Sequence, residues 1–128
     1  MKVSMLPKPL QVAAFMAEKS TYKQRLGACL VKHSKIISYG HNSLRHHKYS
    51  LWYNWPNQYH AETDVILRSN YSSLLGSHLF VVRINRLGET RLAKPCNSCM
   101  RLIRDHGIKR VTYTTNEGGY ETTTLHHR

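Results

Sequence analysis

The chain has 128 residues and carries 19 Lys and Arg against seven Asp and Glu, a formal net charge of +12 at pH 7. This length predicts a single domain over residues 1–128 with a sizeable core, and it excludes two independent domains. The positive excess predicts attraction to polyanions, nucleic acid first. Because the basic residues are scattered, a merely basic surface stays open as the alternative.

The sequence has no run of about 18 apolar residues and no signal-peptide pattern, which predicts a protein without a membrane partner. Two of its three cysteines fall in a Cys-x-x-Cys motif of the metal-binding kind, so no pair is left for a disulfide. We therefore expect an intracellular, reducing location, the cytoplasm.

The first third of the chain predicts one helix and one hairpin. Apolar and small residues from Leu10 to Ala17 are typical of a short helix. Two strand-like runs follow, Arg25 to Val31 and Lys35 to Tyr39, with a turn at His33 and Ser34.

The remainder predicts alternating helices and strands. In chain order we expect a helix at Ala61 to Leu67, a strand at His78 to Ile84, a helix from Cys96 that ends at Gly107, and a strand at Arg110 to Thr114. This order favours an α/β fold in which helices cover the faces of a sheet.

The last predicted strand decides the topology of the C-terminus. Residues 116–119 separate the run ending at Thr115 from a second Thr- and Tyr-rich run, Tyr120 to Leu125. A connection this short joins only antiparallel neighbours, so we predict a terminal hairpin and a mixed five-stranded sheet. A frayed tail over residues 120–128 is the alternative.

Two short motifs carry most of the chemistry: His60-Ala61-Glu62 and the Pro-Cys-Asn-Ser-Cys run at residues 95–99. A catalytic zinc keeps three protein ligands and leaves the fourth tetrahedral position to water. One imidazole and two thiolates complete that set, so we predict that His60, Cys96 and Cys99 bind Zn²⁺. Glu62 is then left over as a proton carrier.

The spacing of these residues places each motif at the start of a helix. Cys96 and Cys99 are three apart and share a helix face, and the positive helix end favours thiolates. His60 and Glu62 are two apart and would diverge within a helix. In a first turn that abuts the metal, both can reach it.

Three other interpretations of these motifs are possible. A redox Cys-x-x-Cys pair leaves His60 and Glu62 unexplained. A structural zinc needs a fourth protein ligand, for which Cys29 is the only remaining cysteine, in an apolar strand-like run where an inert thiol is commoner. The third is coincidence without any metal, and the catalytic metal explains more than each of them.

Over residues 10–115 the chain resembles the cytidine deaminase superfamily. The two zinc motifs carry the resemblance, together with the stretches 26–31 and 36–42, which look like the family's first two strands, and the segment running from Pro95 to Val111. The resemblance implies a three-layer α/β/α cytidine deaminase-like fold and a hydrolytic deaminase.

The same resemblance implies roles for individual residues. His60, Cys96 and Cys99 would ligate Zn²⁺, and Glu62 would move the proton while water attacks C4 of cytosine, or C6 of adenine. Asn42 would hydrogen-bond the sugar or base, although a turn role after a strand explains it equally well. A backbone N–H near Ala61 would contact the base carbonyl.

Two departures from the family's usual pattern indicate which branch of the family this chain resembles. Histidine at position 60 disfavours the tetrameric free-cytidine deaminases, which usually have cysteine there. Many histidine-bearing relatives run a fifth strand parallel after another helix, for which this chain is too short. The combination resembles toxin-like and phage-like deaminases, and a homo-oligomer is compatible with it.

Residues 43–59 are the most individual segment, with five Tyr and Trp residues among basic ones. Because they lie between Asn42 and His60, we expect them at the pocket rim. Trp52 and Trp55 would stack on single-stranded bases, or pack the loop or a subunit interface.

We therefore expect a zinc-dependent deaminase that converts cytosine to uracil in single-stranded nucleic acid or a nucleotide. The charge and the aromatic segment slightly favour nucleic acid. The alternatives are a free dCMP or CMP deaminase, adenine deamination in RNA, and a catalytically silent zinc-containing nucleic-acid-binding module.

Overall fold

A computed structural model describes residues 3–20, 24–43 and 60–125 of the chain. The helices of this part are a 3-10 turn at Val3–Met5, then α1 (Lys8–Glu18), α2 (Ala61–Leu67), α3 (Tyr71–Leu74) and α4 (Asn97–Asp105). The strands are β1 (Arg25–Lys32), β2 (Lys35–His41), β3 (His78–Ile84), β4 (Thr90–Arg91), β5 (Arg110–Thr114) and β6 (Tyr120–Thr124). None of the helices in these three ranges is long and apolar enough to cross a membrane.

The strands form one mixed sheet in the order β2-β1-β3-β5-β6, with β4 paired to β3 off this path. Among the strands of the described residues, only β3 and β5 are parallel, and the other pairs are antiparallel. The mixed sheet and its terminal hairpin are confirmed. The sheet has six strands rather than the predicted five, because β4 spans two residues and is too short to show a pattern in the sequence.

The turn between β1 and β2 lies where the sequence predicts it. His33 and Ser34 both have positive φ, 53° and 64°, which is the left-handed conformation of a two-residue type I′ turn. This turn follows the right-handed twist of the strands, so β2 pairs tightly with β1.

Helices cover both faces of the sheet. In β1, Ala28 and Leu30 belong to the apolar cluster beneath α2 and α4, whereas Cys29 between them belongs to the cluster beneath α1. β3 alternates in the same way, with Leu79 and Val81 on the first face. Because successive strand residues point to opposite faces, this pattern establishes the three-layer α/β/α fold predicted from the resemblance.

One end of the sheet gathers the segments around the two predicted helix starts. β1 is antiparallel to both of its neighbours, so its first residues lie beside the last residues of β2 and β3. α2 and α4 pack on the sheet face nearest this end and contact each other. The sheet topology therefore brings five elements together at this end of the sheet, namely β1, β2, β3, α2 and α4.

Candidate active site

The first half of the site is the start of α2. His60 is the N-cap residue, with an extended backbone, and its carbonyl accepts a hydrogen bond from the Asp64 N–H at 3.0 Å. Ala61 and Glu62 form the first turn and are buried. The predicted placement of this motif at a helix N-terminus is confirmed.

The second half of the site is the start of α4. Cys96 is its N-cap residue, and the Cys96 Sγ accepts a hydrogen bond from the Cys99 backbone N–H at 3.5 Å. The next turn closes through a 2.8 Å bond from the Met100 N–H to the Cys96 carbonyl. Cys96 is exposed and Cys99 is fully buried, so the pair spans the boundary between solvent and core.

The two helix starts bring three metal-binding side chains together. The ligand atoms of His60, Cys96 and Cys99 all lie within 4.8 Å of one another, and His60 Nδ1 is 2.9 Å from Cys99 Sγ. One imidazole and two thiols form a three-ligand set of the kind that holds a catalytic Zn²⁺ with one position open. This cluster fits Zn²⁺.

Cys29 cannot complete a four-ligand structural site. It lies on the α1 face of the sheet, and its thiol donates a hydrogen bond to the Pro9 carbonyl at 3.1 Å. Burial raises the pKa of the Cys29 thiol to about 12, so it stays protonated at neutral pH. The sheet separates it from the other two cysteines.

The two cysteines of the cluster differ in acidity before any metal binds. A hydrogen bond from the Cys99 thiol lowers the pKa of Cys96 to about 3, and contact with His60 lowers it further against the effect of burial. Burial raises the pKa of Cys99 well above its ordinary value. Because metal ligands must be thiolates, binding of a metal ion releases the Cys99 proton.

Glu62 lies next to this cluster as a buried carboxyl, 4% exposed. Burial raises its pKa above the ordinary value, and the neighbouring His60 opposes part of that shift. A carboxyl whose pKa is brought closer to neutrality is better suited to accept and return protons.

Both motifs open onto one cavity of about 180 Å³. His60, Ala61, Glu62 and Cys96 form its reactive part. The rest of the lining consists of apolar, amide and basic residues from the start of β1, the residue after β2, the end of β3 and the segment before α4, namely Gln24, Leu26, Asn42, Arg83, Leu92, Ala93 and Lys94.

Asn42 is held rigidly at the edge of this cavity and is 1% exposed. Its side-chain oxygen accepts from the Leu26 N–H at 3.0 Å and from the Ser20 hydroxyl at 2.5 Å. Its amide nitrogen donates to the Gln24 carbonyl at 2.6 Å. These bonds use the oxygen's two acceptor sites and one of the two amide protons, which leaves one N–H for a ligand.

The aromatic pair of the insert, Trp52 and Trp55, lies outside the described residues. Arg83 and Lys94 were not singled out from the sequence. The sequence does contain a signal for each of them, since Arg83 interrupts the apolar run of β3 and Lys94 immediately precedes the Pro-Cys motif.

The family model of the cytidine and deoxycytidylate deaminase zinc-binding region matches residues 6–115. The deoxycytidylate deaminase of Pongo abelii is 27% identical over an alignment 122 positions long, which covers 84% of this chain and 63% of that protein. The chain thus spans less than two thirds of the length of this relative, and the human relative of the same name gives the same coverage at 26% identity.

Solved structures agree in fold. The dCMP deaminase of cyanophage S-TIM5 superposes with a TM-score of 0.62 at 24% identity, covering 90% of this chain and 89% of that one. The same phage enzyme in complex with dCMP and dUMP gives 0.60 at 23% identity, covering 83% and 77%. Cytidine deaminase from Burkholderia pseudomallei gives 0.61 at 21% identity, covering 89% and 87%.

Proposed function

Because this chain belongs to the cytidine and deoxycytidylate deaminase family, we propose that it hydrolyses the amine of cytosine in a nucleotide, with dCMP as the first candidate substrate. The observation that carries the proposal is that His60, Cys96 and Cys99 form one cluster, and that His60, Cys96 and Glu62 line the same cavity. The names of the relatives favour a nucleotide over nucleic acid, since they are deoxycytidylate deaminases.

Four side chains supply the chemistry in this proposal. His60, Cys96 and Cys99 would hold Zn²⁺, which when bound lowers the pKa of a water molecule towards neutrality. Two thiolates offset the charge of the ion, so the cavity floor stays close to neutral. A neutral heterocycle then enters without repulsion.

Glu62 moves the protons. Its carboxylate takes one proton from the attacking water and delivers it to N3 of cytosine as oxygen bonds to C4. It then takes the remaining hydroxyl proton and delivers it to the amine, so that the C4–N bond breaks and ammonia leaves. The sum is cytosine plus water to uracil plus ammonia, and Glu62 ends as it began.

Two groups at the cavity would orient the substrate. The remaining side-chain N–H of Asn42 would donate to the sugar or base, and the backbone N–H of Ala61 would donate to the base carbonyl. Both are buried and belong to the starts or ends of regular elements, so they hold their direction before substrate binds.

A direct assay tests this function. Ammonia release is measured on dCMP and on a cytosine-containing single-stranded oligonucleotide at equal base concentration, with the Glu62→Ala protein as blank. We expect conversion of dCMP. Zinc-loaded protein that releases no ammonia from either substrate would overturn the proposal and favour a silent binding module.

Nucleic acid is the second candidate substrate, because the chain has a formal net charge of +12. The logarithm of the affinity for a polynucleotide falls linearly with the logarithm of the salt concentration. The slope is close to the number of phosphates that the protein contacts. Conversion of the oligonucleotide in preference to dCMP, with a steep salt dependence, would favour this candidate. A shallow dependence and conversion of dCMP alone would exclude it.

A further inference from the structure

A row of side chains crosses the sheet at the cavity. The Asn42 N–H donates to the Leu26 carbonyl at 3.1 Å, and Leu26 is in turn the register partner of Arg83 on β3. All three residues line the cavity. Since adjacent strands are about 4.8 Å apart, Asn42 and Arg83 stand ~10 Å apart with apolar Leu26 between them.

The next residue in the row shows that Arg83 differs from its basic neighbour. Arg91 is the register partner of Arg83 on β4, and its guanidinium forms an ion pair with Glu89 at 3.3 Å. Arg83 is half-buried, and no carboxylate in the described part of the chain lies within 4.0 Å of its guanidinium. Such a cation favours an anionic ligand over an empty site.

Lys94 adds a second cation to the lining of the cavity. It follows a segment that is tied to the end of β5, since the Leu92 N–H donates to Asn116 Oδ1 at 2.8 Å and the Ala93 N–H donates to the Thr114 carbonyl at 2.9 Å. Lys94 also lacks an ion pair with any carboxylate of residues 3–20, 24–43 and 60–125. Lys94 is exposed and lines the cavity, so its charge is available to a ligand there.

We propose that Arg83 and Lys94 bind the 5′-phosphate of the substrate and thereby select nucleotides over nucleosides. The inference rests on the deaminase function proposed above and adds the residues that set its specificity. With the base at Glu62, the sugar lies over Leu26 beside Asn42, and the phosphate reaches the two cations. A guanidinium and an ammonium together suit a phosphate dianion.

The test is the ratio of kcat/KM for dCMP to that for deoxycytidine, which differ only in the phosphate. Arg83→Gln and Lys94→Gln remove each charge in turn. Loss of a charge-assisted hydrogen bond corresponds to about 10- to 100-fold in affinity, so we expect each variant to raise KM for dCMP by that factor. We expect kcat/KM for deoxycytidine to change less than about 3-fold. A change of that size corresponds to a free energy too small for the loss of a charge-assisted hydrogen bond.

Arg86→Gln is the matched control. Arg86 is exposed in the turn between β3 and β4 and does not line the cavity, although the substitution removes the same charge. We expect it to leave the dCMP to deoxycytidine ratio unchanged. An equal loss of the ratio in this control would show that the effect is long-range attraction, and would overturn the assignment to Arg83.

The outcomes separate the inference from the proposed function. If wild-type protein turns over cytosine substrates but the Arg83 and Lys94 variants keep its dCMP to deoxycytidine ratio, the phosphate assignment is wrong and the function stands. If both substrates lose kcat equally, the cations act on the chemistry and the assignment is wrong. If wild-type protein turns over neither substrate, calorimetric binding of dCMP against deoxycytidine to the same variants still decides the phosphate site.

Discussion

At the scale of single residues, Glu62 has the sharpest predicted role. Its burial and raised pKa suit proton transfer, and it is not a member of the three-residue metal cluster. These two features separate the chemistry from metal binding, so a substitution can remove the first and keep the second.

We expect Glu62→Gln to retain zinc at the wild-type ratio while kcat falls about 10²- to 10⁴-fold, the usual contribution of a general acid–base group. Elemental analysis of purified protein and the dCMP assay measure the two quantities. Loss of zinc in this variant would mean that the carboxylate helps to hold the metal and that its assignment is wrong.

Asp64 has a second residue-scale role, which is to lock α2 onto the end of β2. It is 3% exposed, its Oδ2 accepts from the His41 N–H at 3.1 Å, and its Oδ1 pairs with Arg68 Nε at 3.0 Å. A Cβ on Gly40 would overlap this carboxylate, so the strand must pass close by it. The contact fixes the distance between Asn42 and Glu62.

We expect Asp64→Ala to lower the free energy of unfolding by about 1–3 kcal/mol, because the half-buried His41 N–H loses its acceptor. Arg68→Gln is the control, since Arg68 is largely exposed and such pairs contribute about 0.5 kcal/mol. Urea denaturation of both variants measures the difference. Equal effects would show that the strand contact contributes nothing beyond the surface ion pair.

At the scale of elements, α1 lies directly on β1 because one position has no side chain. A Cβ at Gly27 would overlap the Ala13 carbonyl oxygen and the Ala17 nitrogen, both main-chain atoms of the helix. Ala13 and Ala17 are fully buried, so neither backbone can move away without opening the core. This close backbone contact allows the 11-residue helix α1 to pack directly against its face of the sheet.

We therefore expect Gly27→Ala to destabilise the protein by roughly 3 kcal/mol, at the upper end for an overpacked site. Gly119→Ala is a suitable control, because its Cβ would lie 3.8 Å from Thr115 Oγ1, an ordinary contact. Thermal and urea unfolding compare the two. A Gly27→Ala protein as stable as the control would show that α1 adjusts and does not define this layer.

At the scale of the whole molecule, a polar chain that is buried at Thr112, half-buried at His78 and exposed at Thr122 links three strands on the α1 face. His78 Nε2 lies 2.6 Å from Thr112 Oγ1, which lies 2.7 Å from Thr122 Oγ1. The His78 ring also stacks on Phe80 with centroids 4.1 Å apart. Burial, with a smaller effect of the Arg110 charge, lowers the pKa of His78 to about 4.

This shift predicts a pH dependence of stability. In the unfolded chain His78 takes up its proton near pH 6.5, whereas in the folded protein it does so near pH 4. Its contribution is therefore fully present above pH 6.5 and is lost as pH falls from 6.5 towards 4.

Urea midpoints at pH 7.5 and pH 5 for wild-type protein and His78→Gln measure this contribution. We expect the wild-type midpoint to fall further than that of the variant over this interval. The substitution leaves the residues of the metal cluster unchanged, so the difference between the two proteins reports on His78. Parallel losses would show that His78 stays accessible to protons in the fold.

Local patterns in the sequence predicted most helices and strands and the residues of the candidate zinc site. The helix at Ala61–Leu67 and the strands at His78–Ile84 and Arg110–Thr114 have the predicted bounds, because side-chain periodicity and turn residues act over a few neighbours. The candidate metal-binding residues were also predicted from the sequence, since His60 and the two cysteines fall in motifs that resemble those of the cytidine deaminase superfamily and whose spacing fits the first turn of a helix.

The features that depend on strand pairing could be found only in the three-dimensional fold. It added the two-residue strand β4, put Cys29 on the face away from the zinc ligands, and brought Arg83 and Lys94 to the cavity. It also showed that Asn42 uses most of its hydrogen-bonding capacity inside the protein. These features follow from strand register. Backbone pairing between strands makes neighbours of side chains that are distant in sequence, and no local sequence pattern encodes that pairing.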